Sequence, residues 1–200
     1  MITRTSLNAT STTGTTGTTG TTGTTRARTA PTLWAVARIW VGWEFLTASL
    51  SKMGDPAWIG ARAGAAVRGF LGAAISPRMT GGLHPNVLAP YAWLSRTILL
   101  AHAPVLSYLV TCGEFLVGVA LILGLCTRFA ALGGIFLNGI YMLSGSAGLN
   151  VPMFAIELSI ALVGLRAGLI GLDAVVVPYL TKQIAAHRGR SAVGAVGRYA

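Results

Sequence analysis

Six polar residues stand inside otherwise apolar stretches of this chain: Arg38, Glu44, Glu114, Asn138, Glu157 and Arg166. An ionisable group near the centre of a membrane helix costs about 2.5 to 3.5 kcal/mol. Four apolar runs contain them: Leu33–Met53, Val105–Leu125, Phe129–Leu149 and Pro152–Leu172. If each run is an antiparallel helix, depth follows from a rise of about 1.5 Å per residue. Glu44 then lies about 16 Å from one edge of the apolar layer, Glu114 about 14 Å from the other and Asn138 about 14 Å from the first. In a core about 30 Å thick, all three fall near the midplane. Glu157 lies nearer the far edge, while Arg38 and Arg166 share a level nearer the edge on the side of the termini.

Two carboxylates at one depth cannot both be ionised and unpaired, because desolvation and like charge both oppose it. Glu44 and Glu114 are expected to share a proton, or one of them to be protonated. A protonatable carboxyl beside an amide can deliver or accept a proton, as a quinone under reduction requires. Glu114, Glu44 and Asn138 are therefore the candidate catalytic residues, and Arg38, Trp43 and Arg128 the candidate contacts to a cofactor. The competing reading is structural. Such groups also form hydrogen bonds between helices, worth about 0.6 kcal/mol each. Arg38 can snorkel to the near edge or reach toward Glu44, and Arg166 can pair with Asp173.

The elements that must hold these residues follow from composition and spacing. Of 200 residues, 53% are hydrophobic and 10% charged. A soluble domain carries about 25% charged residues, so an ordinary soluble enzyme is excluded. Each run is near the roughly 20 residues a helix needs to cross a bilayer. The links between runs two, three and four are only two or three residues long, which forces antiparallel neighbours. Small residues at Gly113, Gly118, Ala130, Gly134 and Gly139 allow close helix approach. The fold expected is an all-α integral membrane protein, a four-helix transmembrane bundle. An interfacial helix is expected in the first long loop, over Trp58–Ile75, with Ile59, Ala66, Val67, Phe70 and Ala74 on its apolar face. Pro104 is placed to open the second span. Trp58, Tyr91 and Trp93 are candidate interfacial anchors. Residues 1–29, with a TTG repeat over Thr12–Thr25, are expected to be a disordered tail. Residues 30–180 form the membrane domain. Asp173–Ala186 reads as a short interfacial helix, and residues 181–200 form a basic C-terminal tail.

The net charge of +10 is then mostly topology, and no nucleic-acid partner is expected. With four spans, both termini share a side that carries Arg4, Arg26, Arg28, Arg128, Lys182, Arg188, Arg190 and Arg198. The opposite side carries Lys52, Arg62, Arg68, Arg78 and Arg96. The positive-inside rule puts both termini in the cytoplasm and the chain in the cell membrane. Cys112 and Cys126 would be about 21 Å apart along one helix, too far to bridge. His84, His102 and His187 fall outside the spans, so neither haem nor a metal is expected.

Several segments resemble the DoxX/DoxD family of membrane proteins. They are RIWVGWEFLTASLSKMGDPAWIG (Arg38–Gly60) with His84-Pro85, GEFLVGVALILGLCTRFAAL (Gly113–Leu132), NGIYMLSGSAGLN (Asn138–Asn150) and RAGLIGLD (Arg166–Asp173). Glu114 and Arg128 match a GE…TR motif, and Gly171, Leu172 and Asp173 match a closing GLD. Ala174 departs from the pattern, where a basic residue is expected. The resemblance covers about residues 33–180. It implies a four-helix membrane protein similar to the small subunit of a thiosulfate:quinone oxidoreductase, or to relatives in membrane complexes of thiol-stress defence. It also implies a quinone as cofactor and a partner redox subunit as the source of electrons. The alternative is a non-enzymatic scaffold that anchors soluble redox proteins.

Overall fold

The computed structural model describes the backbone over residues 22–196 and side chains over residues 31–164 and 167–185. Among the described residues there are helices, turns and loops but no strand. Most of the expected tail, residues 1–21, lies outside them. Helix α1 runs from Thr22 to Met53, α5 from Ala103 to Leu123, α6 from Thr127 to Leu143 and α7 from Asn150 to Val163. Helix α1 packs along α5, α5 against α6, α6 against α7, and α7 closes against α1. The short links do produce antiparallel neighbours. Four short elements bridge α1 to α5: α2 (Ala65–Ala74), α3 (Pro77–Thr80), α4 (Ala89–Leu94) and a π-helical turn at Ser95–Leu99. Helix α8 (Asp173–Val196) continues past its expected end at Ala186.

The core of the ring is apolar, from Val41 and Phe45 on α1 through Val117 and Leu121 on α5 to Leu137 on α6 and Ile160 on α7. Its outward face is apolar as well: Leu33, Val36, Leu109, Leu116, Phe129, Phe136 and Leu162 are all exposed. A soluble protein rarely exposes so continuous an apolar belt. Helix α5 is the described helix that alone has the length and apolarity to cross a bilayer. Helix α1 is long enough but carries Arg38, Glu44 and Lys52. Helices α6 and α7, at 17 and 14 residues, are shorter than their apolar runs. The run from Phe129 to Leu149 ends as a helix at Leu143. The run from Pro152 to Leu172 ends at Val163, because Gly164 takes φ +64°, a left-handed conformation that glycine adopts without strain. A 3-10 turn, Gly164–Gly168, follows. Hydropathy counts apolar residues and is blind to such stops.

The closest helix contact is between α1 and α5. A Cβ on Gly118 would lie 2.8 Å from the Leu46 backbone nitrogen and 2.9 Å from the Gly42 carbonyl oxygen. Gly118 thus serves backbone approach, as its size suggests. Gly134 serves something else: a Cβ there would collide with the Glu157 carboxylate.

The expected interfacial helix is shorter than its pattern and turned inward. It starts at Ala65 rather than Trp58, and its buried face is Val67, Leu71 and Ala74. That face packs on Ala103 and Leu106 at the start of α5. Trp58 is half-buried, Tyr91 is buried with its hydroxyl 2.6 Å from Ser144 Oγ, and Trp93 is exposed. Only Trp93, of the three expected anchors, faces outward. Helix α5 opens with Pro104 in its first turn.

Candidate functional site

Residues Glu44, Ala48 and Lys52 recur at four-residue spacing on α1, so they share one face. That face borders a cavity of about 260 Å³. Glu114 enters it from α5, and Asn138 and Tyr141 from α6. Met153 on α7 and Ser146, Leu149 and Asn150 around its start complete the opposite wall. Trp58 and Phe70, from the segment before α5, roof it. The Phe70 ring meets Tyr141 edge to face at 5.8 Å. The three residues expected at one depth, Glu44, Glu114 and Asn138, therefore border a single space.

Their partners differ. Glu114 is 2% exposed, and both its carboxylate oxygens accept from Lys52 Nζ at 2.5 Å. Tyr141 donates its hydroxyl to Glu114 Oε1 at 2.6 Å, and Lys52 Nζ lies 2.9 Å from that same hydroxyl oxygen. The ammonium also sits 4.8 Å from the Trp58 ring centre, close enough for a cation–π attraction. Glu114 is thus paired with Lys52 and not with Glu44, so no shared proton between the two carboxyls is needed. The expectation that Lys52 belongs to the charge of the outer loop is corrected: its side chain turns into the ring. The sequence held the signal, since Lys52 follows Glu44 by eight residues on one helical face. Tyr141 follows Asn138 by three, a spacing that also shares a face.

Asn138 donates Nδ2 to both oxygens of Glu157, each at 3.0 Å. Both residues are buried, Glu157 fully. Glu44 is half-buried, and its carboxylate has no hydrogen-bond or ion-pair partner among the described residues. It is the unengaged carboxyl group on the cavity wall.

The proposed cofactor contacts are not gathered here. Trp43 points outward, 58% exposed, since adjacent residues on a helix are turned about 100° from each other. Arg128 is exposed at the start of α6. Arg38 is 2% exposed and belongs to a second polar centre at the other end of the ring. There Nη1 lies 3.4 Å from Thr127 Oγ1 and Nη2 donates to the Ile170 carbonyl at 2.5 Å. It neither snorkels nor reaches Glu44. The side chain of Arg166 lies outside the described residues.

Asp173 completes the second centre. Its carboxylate accepts the backbone N–H of Cys126 at 2.7 Å and of Thr127 at 2.8 Å. These are open donors at the start of α6, where a carboxylate is favoured. Cys126 itself has φ +49°, a conformation that costs a non-glycine residue about 1 to 2 kcal/mol and is held by that carboxylate. The Asp173 N–H in turn donates to the Gly124 carbonyl at 2.8 Å. At Gly124, φ is +65° and a Cβ would collide with the Arg38 guanidinium. Gly124 in the α5–α6 turn and Gly171 of the GLD segment thus both make room for the distant Arg38 guanidinium.

A ring of helices with an apolar outer face and two buried polar centres defines a membrane-associated helical protein. The chain belongs to the DoxX family, whose pattern matches residues 33–147. DoxX is a family of membrane proteins, so the chain associates with a lipid bilayer. No curated protein and no solved structure matches the chain.

Proposed function

We propose that this DoxX protein is a quinone-facing subunit of a membrane redox complex, with the quinone ring seated in the cavity between Glu44 and Tyr141. The observation that carries this reading is the cavity itself. It brings carboxylate, amide, ammonium and phenol together beneath an aromatic roof in the interior of a helical ring. Planar rings pack against aromatic walls, and small-molecule sites combine such walls with a few placed polar groups. In this reading all four helices of the ring lie in the cell membrane with both termini in the cytoplasm. A partner subunit supplies the electrons. The residues divide by what they touch. Glu114 is held by Lys52 and Tyr141 and fixes the site electrostatically. Glu44, free of partners, exchanges the proton. Sulfur-compound oxidation of the thiosulfate:quinone type is the reaction class in which such a subunit fits.

Calorimetric titration of the purified protein in detergent with a short-chain quinone tests this. Saturable one-to-one binding that weakens about tenfold or more in Glu44→Gln is the expected result. Heat that only tracks partition into micelles, unchanged by the substitution, would contradict it. A second reading, a scaffold for soluble redox proteins, is favoured by α8. Its described side chains from Pro178 to Ala185 are all exposed. Capture of a redox partner that is lost on removing residues 178–200, with no quinone binding, would select that reading.

A further inference from the structure

The cavity presents hydrogen-bond acceptors that nothing engages, at Glu44 and Asn138, while the donors of Lys52, Tyr141 and Asn138 are already engaged; its remaining donors are the Trp58 indole N–H in the roof and the Ser146 hydroxyl on the opposite wall. Lys52 Nζ and the Tyr141 hydroxyl both point to Glu114. Asn138 commits Nδ2 to Glu157, which leaves its Oδ1 as the atom available to the cavity. That oxygen has no hydrogen-bond partner, and it is not among the fully enclosed unpaired atoms, which are Arg38 Nε and Ser95 Oγ. The Glu44 carboxylate adds two more free acceptor oxygens on the same wall. Detaching Lys52 to serve a ligand would leave Glu114 buried with less than its full complement, a costly change. A ligand seated between Glu44 and Asn138 must therefore bring donors of its own to match these two groups as they stand.

Resting on the quinone reading above, we propose that the cavity selects the reduced, hydroxyl-bearing form of the ring over the oxidised form. A quinone offers two carbonyl acceptors and would face Glu44 and Asn138 acceptor to acceptor. A hydroquinone offers two O–H donors. One is directed to the Glu44 carboxylate and the other to Asn138 Oδ1. Hydrogen bonds to a charged carboxylate are the stronger kind. Polar sites discriminate against analogues that leave their buried groups unpaired. The ring lies between Phe45 and Met153, with Phe70 above it.

The test compares affinities of one short-chain compound in both redox states for the full-length protein in detergent, anaerobically for the reduced form. The expected result is hydroquinone binding at least tenfold tighter than quinone binding. The bound couple then shifts to a midpoint at least about 30 mV higher, from the two-electron relation. Glu44→Gln should reduce that ratio to about threefold or less. Because Glu44 is half-buried and unpaired, this variant should retain the wild-type melting temperature. The wild-type ratio is in any case independent of it. Equal affinities, or tighter binding of the quinone, would overturn the selectivity and leave the quinone reading standing. A tenfold ratio that survives Glu44→Gln would overturn the assignment to Glu44. No saturable binding of either form would overturn the quinone reading with it.

Discussion

The two polar centres of this ring use the same residue types in opposite ways. At the end near Asp173, Arg38 and the carboxylate are matched by backbone groups: the Ile170 carbonyl and the N–H groups of Cys126 and Thr127. Glycines at 124, 168 and 171 are packed so closely that a Cβ on any of them would press on Arg38 or Asp173. At the other end, Lys52, Glu114 and Tyr141 engage one another through side chains. They border a cavity that also holds the unengaged Glu44. The first centre ties three chain segments together and leaves only Arg38 Nε, among its described buried polar atoms, without a partner. The second has room and unmatched acceptors. Charge inside a membrane protein is therefore not by itself a sign of chemistry. What separates the two is whether the backbone already satisfies the charge.

Substitutions should separate the centres in the same way. The largest effect is expected at Gly124→Val, which forces a β-branched residue to positive φ and into the Arg38 guanidinium. The combined strain and overpacking amounts to roughly 3 kcal/mol or more. Loss of the thermal transition of the purified protein, or loss of expression, checks it. Lys52→Met should cost about 3 to 5 kcal/mol by leaving Glu114 without its counter-ion. The double variant Lys52→Met/Glu114→Leu should recover most of that loss in a double-mutant cycle while ligand binding stays absent. Full recovery of binding would place the ligand elsewhere. Phe70→Ala removes an edge-to-face pair worth about 0.5 to 1.5 kcal/mol. It should lower the melting temperature slightly and raise the ligand off-rate severalfold, read by stopped flow. Glu44→Gln should change stability by less than about 0.5 kcal/mol yet weaken binding. Smallest of all, Trp43→Phe should leave binding unchanged, since that ring faces outward.

Part of this arrangement was legible in the sequence. The apolar runs located α1, α5, α6 and α7, and simple depth arithmetic brought Glu44, Glu114 and Asn138 to one level. Lys52 was obscured because a lysine at the end of an apolar run reads as an interfacial charge. The eight-residue spacing from Glu44 lies within the run to Met53, but spacing alone does not say that the lysine turns inward. The span ends were obscured because Gly164 and the turn after Leu143 stop helices inside apolar sequence. The Arg38 centre was the least legible. Its partners lie 89 and 132 residues away, and one of them is a backbone carbonyl with no sequence signature. Asp173 stood out as part of a motif, but its role as a cap for α6 depends on the chain returning to that turn.

The central claim is that ligand chemistry belongs to the cavity centre and not to the Arg38 centre. Photolabelling the purified protein with an azido-quinone, followed by peptide mapping, tests it most directly. Labels that fall between Glu44 and Trp58 and between Asn138 and Met153, and that excess unlabelled quinone removes, are the predicted result. Competable labels around Arg38, Thr127 and Asp173, or labels spread over the outward apolar face that competition does not remove, would contradict it.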